Sequence, residues 1–312
     1  MGPDANRNDR FPHVLLATAR QAWELDEDAQ ALTQALEAAG IPSAPAVWDD
    51  PEVDWSASEL VVVRSTWDYA RRRDQFLQWA SSVDASTQLA NPYPLIEWNT
   101  DKRYLHDLAE AGLPVVATSF ASRGDPPDLT STLIESLADG GEFVVKPSVS
   151  AGSKDTGRFD SSNATDALHL ARRIIDEGRT AMFQPYLGSV DHVGETGLVF
   201  FEGRFSHAFR KAALLAPGGE ADHGLFALER IDPAIATRDQ LELARQVVQW
   251  STGRFSTEPL YARVDLLEAD GGAPVLLELE LTEPSWFLGT DPESPARAAA
   301  AIGSRLGRTA GA

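Results

Sequence analysis

Lys146 closes the apolar run Phe143-Val144-Val145 and leads straight into Pro147-Ser148-Val149-Ser150-Ala151-Gly152-Ser153-Lys154-Asp155-Thr156-Gly157. A cation at a strand end, followed by a small-residue loop with free N–H groups, is a good way to hold a triphosphate. The competing reading is a surface hairpin with a solvated lysine. A second constellation is Arg263-Val264-Asp265 on one expected strand and Glu278-Leu279-Glu280 on the next. Residues two apart share a strand face, so pairing across the hairpin would gather three carboxylates and one guanidinium. Oxygen ligands on a rigid sheet suit Mg²⁺, which binds through a few carboxylates plus substrate phosphates. The alternative is the polar face of an exposed sheet with a salt bridge. Its apolar neighbours Val275, Leu276, Leu277 and Leu281 weigh against that, and crowded like charges on a sheet face are destabilising without a cation. The third constellation is Arg64-Ser65-Thr66-Trp67-Asp68-Tyr69, after the apolar run Leu60–Val63. Ligands of open α/β sheets bind at the carboxyl ends of strands. Arg64 would hold a substrate carboxylate there, with Trp67 and Tyr69 as walls. The other reading is a surface ion pair of Arg64 with Asp68 over a packed Trp67.

The elements around these residues alternate. Residues 13–17 form an apolar run expected as a buried strand. Asp26 is placed to cap a helix with Ala29, Leu32, Ala35, Leu36 and Ala39 on one face, ended by Gly40 and Pro42. Strands are expected over 44–48 and 59–63, then a helix through 76–80. This reads as a small open α/β domain over residues 1–94, closed by Asn91-Pro92-Tyr93-Pro94. A second unit spans 95–186: helices over 101–111, 128–138 and 165–177, strands over 142–146 and 181–184. A third spans 187–312 and is richer in strands. Segments 196–201 and 204–210 flank the hairpin signal Glu202-Gly203, and strands over 260–268 and 274–281 flank Asp270-Gly271-Gly272. Residues 212–228 read as a mobile loop, 237–252 as a helix and 294–306 as a closing helix. The fold class is α/β, becoming α+β in the C-terminal part.

Composition narrows the function. The chain has 312 residues, which suggests about two domains. Its 43% hydrophobic and 24% charged residues are ordinary for a globular core. There is no cysteine, which excludes disulfides, thiolate metal sites and Cys nucleophiles. Twenty-seven basic against 47 acidic residues, a net charge of -20, argue against nucleic acid as a partner. The histidines His13, His106, His169, His192, His207 and His223 contain no helical i, i+4 pair for a metal. No run of about 18 apolar residues predicts a membrane span. Residues 14–17 are too short for a signal-peptide core, so a cytoplasmic location is expected. Residues 1–10 and 307–312 read as frayed ends. P-loop, dinucleotide-binding, G-x-S-x-G and H-E-x-x-H motifs are all missing.

Taken together, these residues resemble the ATP-grasp superfamily of ligases, from the Thr18 region to Leu288. Lys102, followed by Ala111-Gly112-Leu113-Pro114-Val115-Val116-Ala117-Thr118, is similar to that family's first phosphate-binding lysine, and Lys146 to its second. Ser150, Gly152 and Ser153 then belong to its glycine-rich phosphate loop. Gln184-Pro185-Tyr186-Leu187 resembles the hinge that binds adenine. Asp191 stands where an acid takes the ribose hydroxyls, with Glu195 a competing candidate. Arg210 or Lys211 matches the family's basic residue, and Arg263 with Asp265 its R-x-D strand. Glu278-Leu279-Glu280 is similar to its E-x-N metal strand, with Glu in place of Asn; the added charge leaves one or two Mg²⁺ ions open. The pieces around Arg64–Tyr69 and Leu277–Ser285 look most like the O-ureido-D-serine cyclo-ligase (D-cycloserine synthetase) group.

The resemblance implies an ATP-grasp fold: a small N-terminal domain, then two α+β subdomains clamping ATP over 95–186 and 187–312. It implies ATP and Mg²⁺ as cofactors, Mg²⁺ on Asp265, Glu278 and Glu280, and a small amino-acid-derived substrate at Arg64, Ser65, Thr66, Trp67, Asp68 and Tyr69. The implied chemistry phosphorylates a carboxylate to an acylphosphate, which a nitrogen nucleophile displaces; Arg263 with Arg210 or Lys211 stabilises the transferring group. Within the cyclo-ligase group this would be ring closure to an antibiotic, D-cycloserine. An intermolecular ligase resembling glutathione synthetase and a non-catalytic ATP-binding protein are the alternatives. A homodimer fits the resemblance; a membrane partner does not.

Overall fold

An unbroken apolar run without alternation marks a strand covered on both faces, as in parallel sheets. Val14–Thr18 (β1) and Leu60–Val63 (β3) are such runs, and every residue of both is buried. The computed structural model, which describes residues 12–152, 154–216, 218–220 and 230–307, places them side by side. They form a parallel sheet of order β2-β1-β3-β4 with Ser43–Val47 (β2) and Gln88–Leu89 (β4). Ala29–Ala38 (α1) turns Leu32 and Leu36 into the core, and Arg73–Ser86 (α2) turns in Phe76, Leu77, Ala80 and Val83.

Asn91-Pro92-Tyr93-Pro94 reads as chain punctuation, but Asn91 is fully buried. Its amide donates to the carbonyls of Tyr261 (3.0 Å) and Leu281 (2.6 Å), and its Oδ1 accepts from the Leu260 N–H (2.8 Å). A helix absent from the sequence reading follows, Tyr93–Asn99 (α3). The helix expected over 101–111 is shorter, Tyr104–Glu110 (α4). Asp101 takes the Arg103 N–H in a turn instead, which frees the Lys102 N–H to donate to Ser148 O (2.9 Å).

The central sheet has order β11-β7-β6-β8-β5. Its strands are Ser119–Ala121 (β5), Phe143–Pro147 (β6), Gly157–Phe159 (β7), Ala181–Pro185 (β8) and Gly219–Glu220 (β11). Leu129–Gly140 (α5) and Ala164–Asp176 (α6) pack against it around Phe143, Val145, Leu170 and Ile174. β11 lies inside the segment expected as a loop and pairs with β7. The expectations for residues 1–10, 153, 217, 221–228 and 308–312 fall outside the described residues.

The third sheet, of order β12-β10-β9-β13-β14, is antiparallel. It contains Glu195–Phe201 (β9), Arg204–Lys211 (β10), Ile231–Ala234 (β12), Tyr261–Glu268 (β13) and Pro274–Glu280 (β14). The four-residue helix Val190–Val193 (α7) precedes it. One face, with Leu198, Phe200, Ala262 and Val264, is covered by Arg238–Phe255 (α8). A capping box of Thr237 and Gln240 starts that helix. The other face changes character along its length. Phe201, Tyr261 and Phe209 pack with Val14, Leu16 and Trp286, together with the closing helix Ser294–Arg305 (α9). Arg263, Asp265 and Glu195, farther along, are left facing a cavity. α9 therefore packs on α1, joining the chain's last helix to its first sheet. Among the described residues no helix is long and apolar enough to cross a membrane.

Gly197 on β9 sits under the Phe209 ring: a Cβ there would lie 2.1 Å from the ring. Phe209 in turn meets Phe287, centroid to centroid at 4.5 Å, and the Arg263 guanidinium lies near both rings. Gly197→Ala is expected to cost about 1–3 kcal/mol through overpacking against a rigid ring, read as a lowered urea midpoint. Unchanged stability would mean that the ring can move freely.

Candidate active site

The central and third sheets, with Trp67 and Tyr69 from beyond β3, border one cavity of about 580 Å³. Strand geometry explains why its wall is charged. β13 and β14 pair Arg263 with Glu280 and Asp265 with Glu278, so all four side chains share a face. A bulge after Asp265 sets Leu266 opposite Leu276, and the extra residue, Leu277, lines the cavity. The outer edge of β14 is tied down from α3 and α4. The Asn99 amide donates to Leu279 O (2.7 Å) and accepts the Leu281 N–H (2.7 Å), and the Tyr104 hydroxyl accepts the Leu279 N–H (2.8 Å).

Four cations meet these acids. Lys146 Nζ lies 2.7 Å from one oxygen of Glu278, and Lys102 Nζ lies 3.8 Å from the other. Lys102 also donates to the carbonyl and hydroxyl of Ser150, both at 3.2 Å, which ties it to the small-residue loop. Lys211 bridges Glu195 (2.7 Å) and Asp265 (3.2 Å). Arg263 binds Asp265 at 2.8 Å, pairs with Glu280, and donates to Ser285 O at 3.0 Å.

Burial opposes ionisation of Glu278, but Lys102 and Lys146 pull its pKa down to about 2. Asp265 is also held below its ordinary value: burial would raise it, and Arg263 and Lys211 outweigh that. Burial raises Glu280, and it pushes Glu195 up to about 7 against the attraction of Lys211. Two ionised oxygen ligands on neighbouring strands suit a hard divalent cation. Among the described residues no three acids or histidines close into a ready-made metal cage. Mg²⁺ bound through one or two carboxylates and substrate phosphates needs none, so the donor set fits.

The structure brings most of the sequence candidates to this cavity. Lys102, Lys146, Ser150, Gly152, Gln184, Tyr186, Leu187, Glu195, Lys211, Arg263, Asp265, Glu278 and Glu280 all line it. Arg210 does not, and its guanidinium donates to Val193 O (2.7 Å). Asp191 does not either. Arg158 holds it through two 2.9 Å bonds, and the Tyr186 hydroxyl donates to it at 2.6 Å. The Arg158 guanidinium lies 3.6 Å over the Tyr186 ring, so this cluster stiffens the hinge from outside the cavity. Ser153 lies outside the described residues.

The substrate motif needs correction. Arg64 is 1% exposed and does not reach the cavity. Its guanidinium binds Asp28 (3.0 Å), Asp26 (3.4 Å) and Pro284 O (3.0 Å), and lies 3.8 Å over Trp286. Its Nε has no hydrogen-bond partner, but it is buried away from the cavity and does not meet a substrate carboxylate there. The expected ion pair with Asp68 does not form either, because Asp68 binds Arg72 and the Trp48 indole N–H. Ser65 and Thr66 are buried, with the Ser65 hydroxyl 2.8 Å from that of Thr18. Only Trp67 and Tyr69 of the six line the cavity. Sequence reasoning missed Glu283, Ser285 and Phe287, which also line it. The usable signal was a charged residue just past the carboxyl end of the acid-bearing strand.

The family model for the N-terminal domain of D-cycloserine synthetase DcsG matches residues 14–91. The chain is 37% identical over 298 residues to the cycloserine biosynthesis protein DcsG of Streptomyces lavendulae, covering 94% of this chain and 98% of that protein. A crystal structure of D-cycloserine synthetase DcsG matches with a TM-score of 0.87 and 36% identity, over 94% of this chain and 99% of that one. The ATP-grasp ligase PsnB, solved with a minimal precursor, Mg and ADP, shares the fold at a TM-score of 0.62 and 15% identity, over 95% and 99% of the two chains.

Proposed function

The chain belongs to the D-cycloserine synthetase family of ATP-grasp ligases, and from that premise we propose that it cyclises O-ureido-D-serine to D-cycloserine at the expense of ATP. The observation that carries this reading is Glu278 held between Lys102 and Lys146, on the wall of a cavity that also includes Trp67 and Tyr69. A lysine pair already in place around an acid is ready to exchange that acid for phosphate oxygens.

Lys102 and Lys146 then hold the α- and β-phosphates, and the loop at Ser150 and Gly152 covers them with backbone N–H groups. The hinge at Gln184–Leu187 takes the adenine. Glu195, which lines the cavity where Asp191 does not, takes the ribose hydroxyls. Asp265 and Glu278 would hold Mg²⁺, with Glu280 turned to Arg263, and the ion would supply charge neutralisation on the phosphates. Arg263 and Lys211 orient the substrate carboxylate, whose oxygen attacks the γ-phosphorus as ADP leaves. The oxygen-bound nitrogen of the same molecule next attacks the activated carbonyl. The C–N bond forms, the bond to phosphate breaks, and Arg263 faces the oxyanion. The carbamoyl group of the ureide leaves by hydrolysis as carbon dioxide and ammonia. Phe287 and Leu277 keep the acylphosphate in apolar surroundings, away from water.

The test is ADP release from Mg-ATP. Release with O-ureido-D-serine alone, and not with its L-isomer, is expected. Release that needs an added amine such as hydroxylamine would replace ring closure with an intermolecular ligase.

A further inference from the structure

One acid sheltered in the cavity is used by none of these roles. Glu283 lies just past β14 and lines the cavity. The other partly or fully buried acids there each have a cation: Glu195 has Lys211, Asp265 has Arg263 and Lys211, Glu278 has Lys146, and Glu280 has Arg263. Glu24 and Glu27 are exposed to solvent. Among the described residues no lysine or arginine pairs with Glu283. Its carboxyl group interacts electrostatically with the neighbouring Tyr69 hydroxyl, and its backbone carbonyl accepts the Trp67 indole N–H at 3.4 Å.

A carboxylate sheltered from water without a counter-charge is unfavourable. It is kept at low cost when a ligand brings the missing cation. Arg263 donates to Ser285 O, two residues beyond Glu283, so this acid and the carboxylate-orienting guanidinium stand on neighbouring parts of one cavity wall. Groups of opposite charge on one wall suit the two ends of a small amino acid.

We propose that Glu283 is the specificity-determining residue that receives the α-ammonium group of an amino-acid substrate, with Tyr69 orienting its carboxylate. This rests on the reading that the substrate is an amino acid activated at its carboxyl group. Electrostatics agree. Burial, then the charge of Glu280, push the Glu283 carboxyl up to about 8 against Tyr69, Lys102 and Arg263. An ammonium group brought against it would lower that value and release its proton.

The experiment compares wild type with Glu283→Gln, a neutral side chain of the same shape. ADP release is measured with O-ureido-D-serine and with its des-amino analogue, 3-(ureidooxy)propanoate, and ATP affinity is measured separately. The KM for the amino substrate is expected to rise on the order of 100-fold, with ATP affinity unchanged and discrimination against the analogue lost. Calorimetry in two buffers of different ionisation enthalpy should find a proton released on substrate binding by wild type only. If Glu283→Gln does not fold, Tyr69→Phe carries the test, with a KM increase of about tenfold for the amino substrate alone. Retained discrimination, or an equal loss of ATP affinity, would overturn the assignment. A wild type that ignores O-ureido-D-serine but uses another amino acid sinks only the substrate assignment, and the same comparison on that acid decides Glu283. Absence of turnover with any amino acid overturns both.

Discussion

Lys146→Ala is expected to lower ATP turnover by about a thousandfold or more while leaving the fold intact. Phosphoryl transfer leaves little for a protein to do except position groups and neutralise charge. Lys146 is placed for both tasks: it is buried at the end of β6, with its Nζ aimed at Glu278. Alanine removes the charge and cannot restore the position. The fold should survive because Lys102 stays 3.8 Å from Glu278 and still balances it. Glu278→Gln should give a similar loss for the opposite reason, leaving two lysines with no acid between them and one metal ligand weakened. Coupled measurement of ADP release, with circular dichroism and melting as controls, decides the matter. A well-folded Lys146→Ala that turns over ATP at the wild-type rate would remove the phosphate site from this cavity.

Much of this site was legible because it depends on local rules. The i, i+2 rule puts Arg263 with Asp265 and Glu278 with Glu280, and the pairing in the fold brings both pairs to one face. The hairpin signals at Glu202-Gly203 and Asp270-Gly271-Gly272 sit where β9 turns into β10 and β13 into β14. The small-residue loop after Lys146 was recognisable from its composition alone. The choice between acids was not legible, because it depends on which side chains a distant element captures. Asp191 stands at a suitable spacing, yet Arg158, 33 residues earlier, holds it outside the cavity. Asp26 reads as a helix cap, but its side chain accepts from the Asp28 N–H and binds Arg64. Asn91 reads as a linker residue for the same reason: its partners Leu260, Tyr261 and Leu281 are remote in sequence. Long-range capture leaves no periodicity for a reader to find.

Arg64 is the clearest case, and its variant should behave as a stability mutant. Asp28 accepts the backbone N–H groups of Trp286, Phe287 and Leu288 at 2.6, 3.2 and 2.7 Å. Phe287 there has a left-handed backbone (φ +50), an unfavourable conformation that this acid helps to hold. Arg64 neutralises Asp28 and Asp26 together while covering Trp286. Arg64→Ala leaves two buried acids without a cation, a change expected to cost about 3–5 kcal/mol. The loss should also depend on pH. Burial already raises the Asp26 pKa despite Arg64, and removal of the guanidinium raises it further. A carboxyl whose folded pKa lies above its unfolded value favours folding below the unfolded pKa and loses that advantage as pH rises through the folded one. The variant's deficit should therefore shrink on acidification from pH 7 to pH 5 and be widest at neutral pH. Urea unfolding of both proteins across that range measures it. Because the segment that Asp28 holds carries Ser285 and Phe287, turnover should fall for substrate and ATP alike as that segment loosens. An Arg64→Ala protein as stable as wild type, impaired only toward the carboxylate substrate, would return Arg64 to the substrate site.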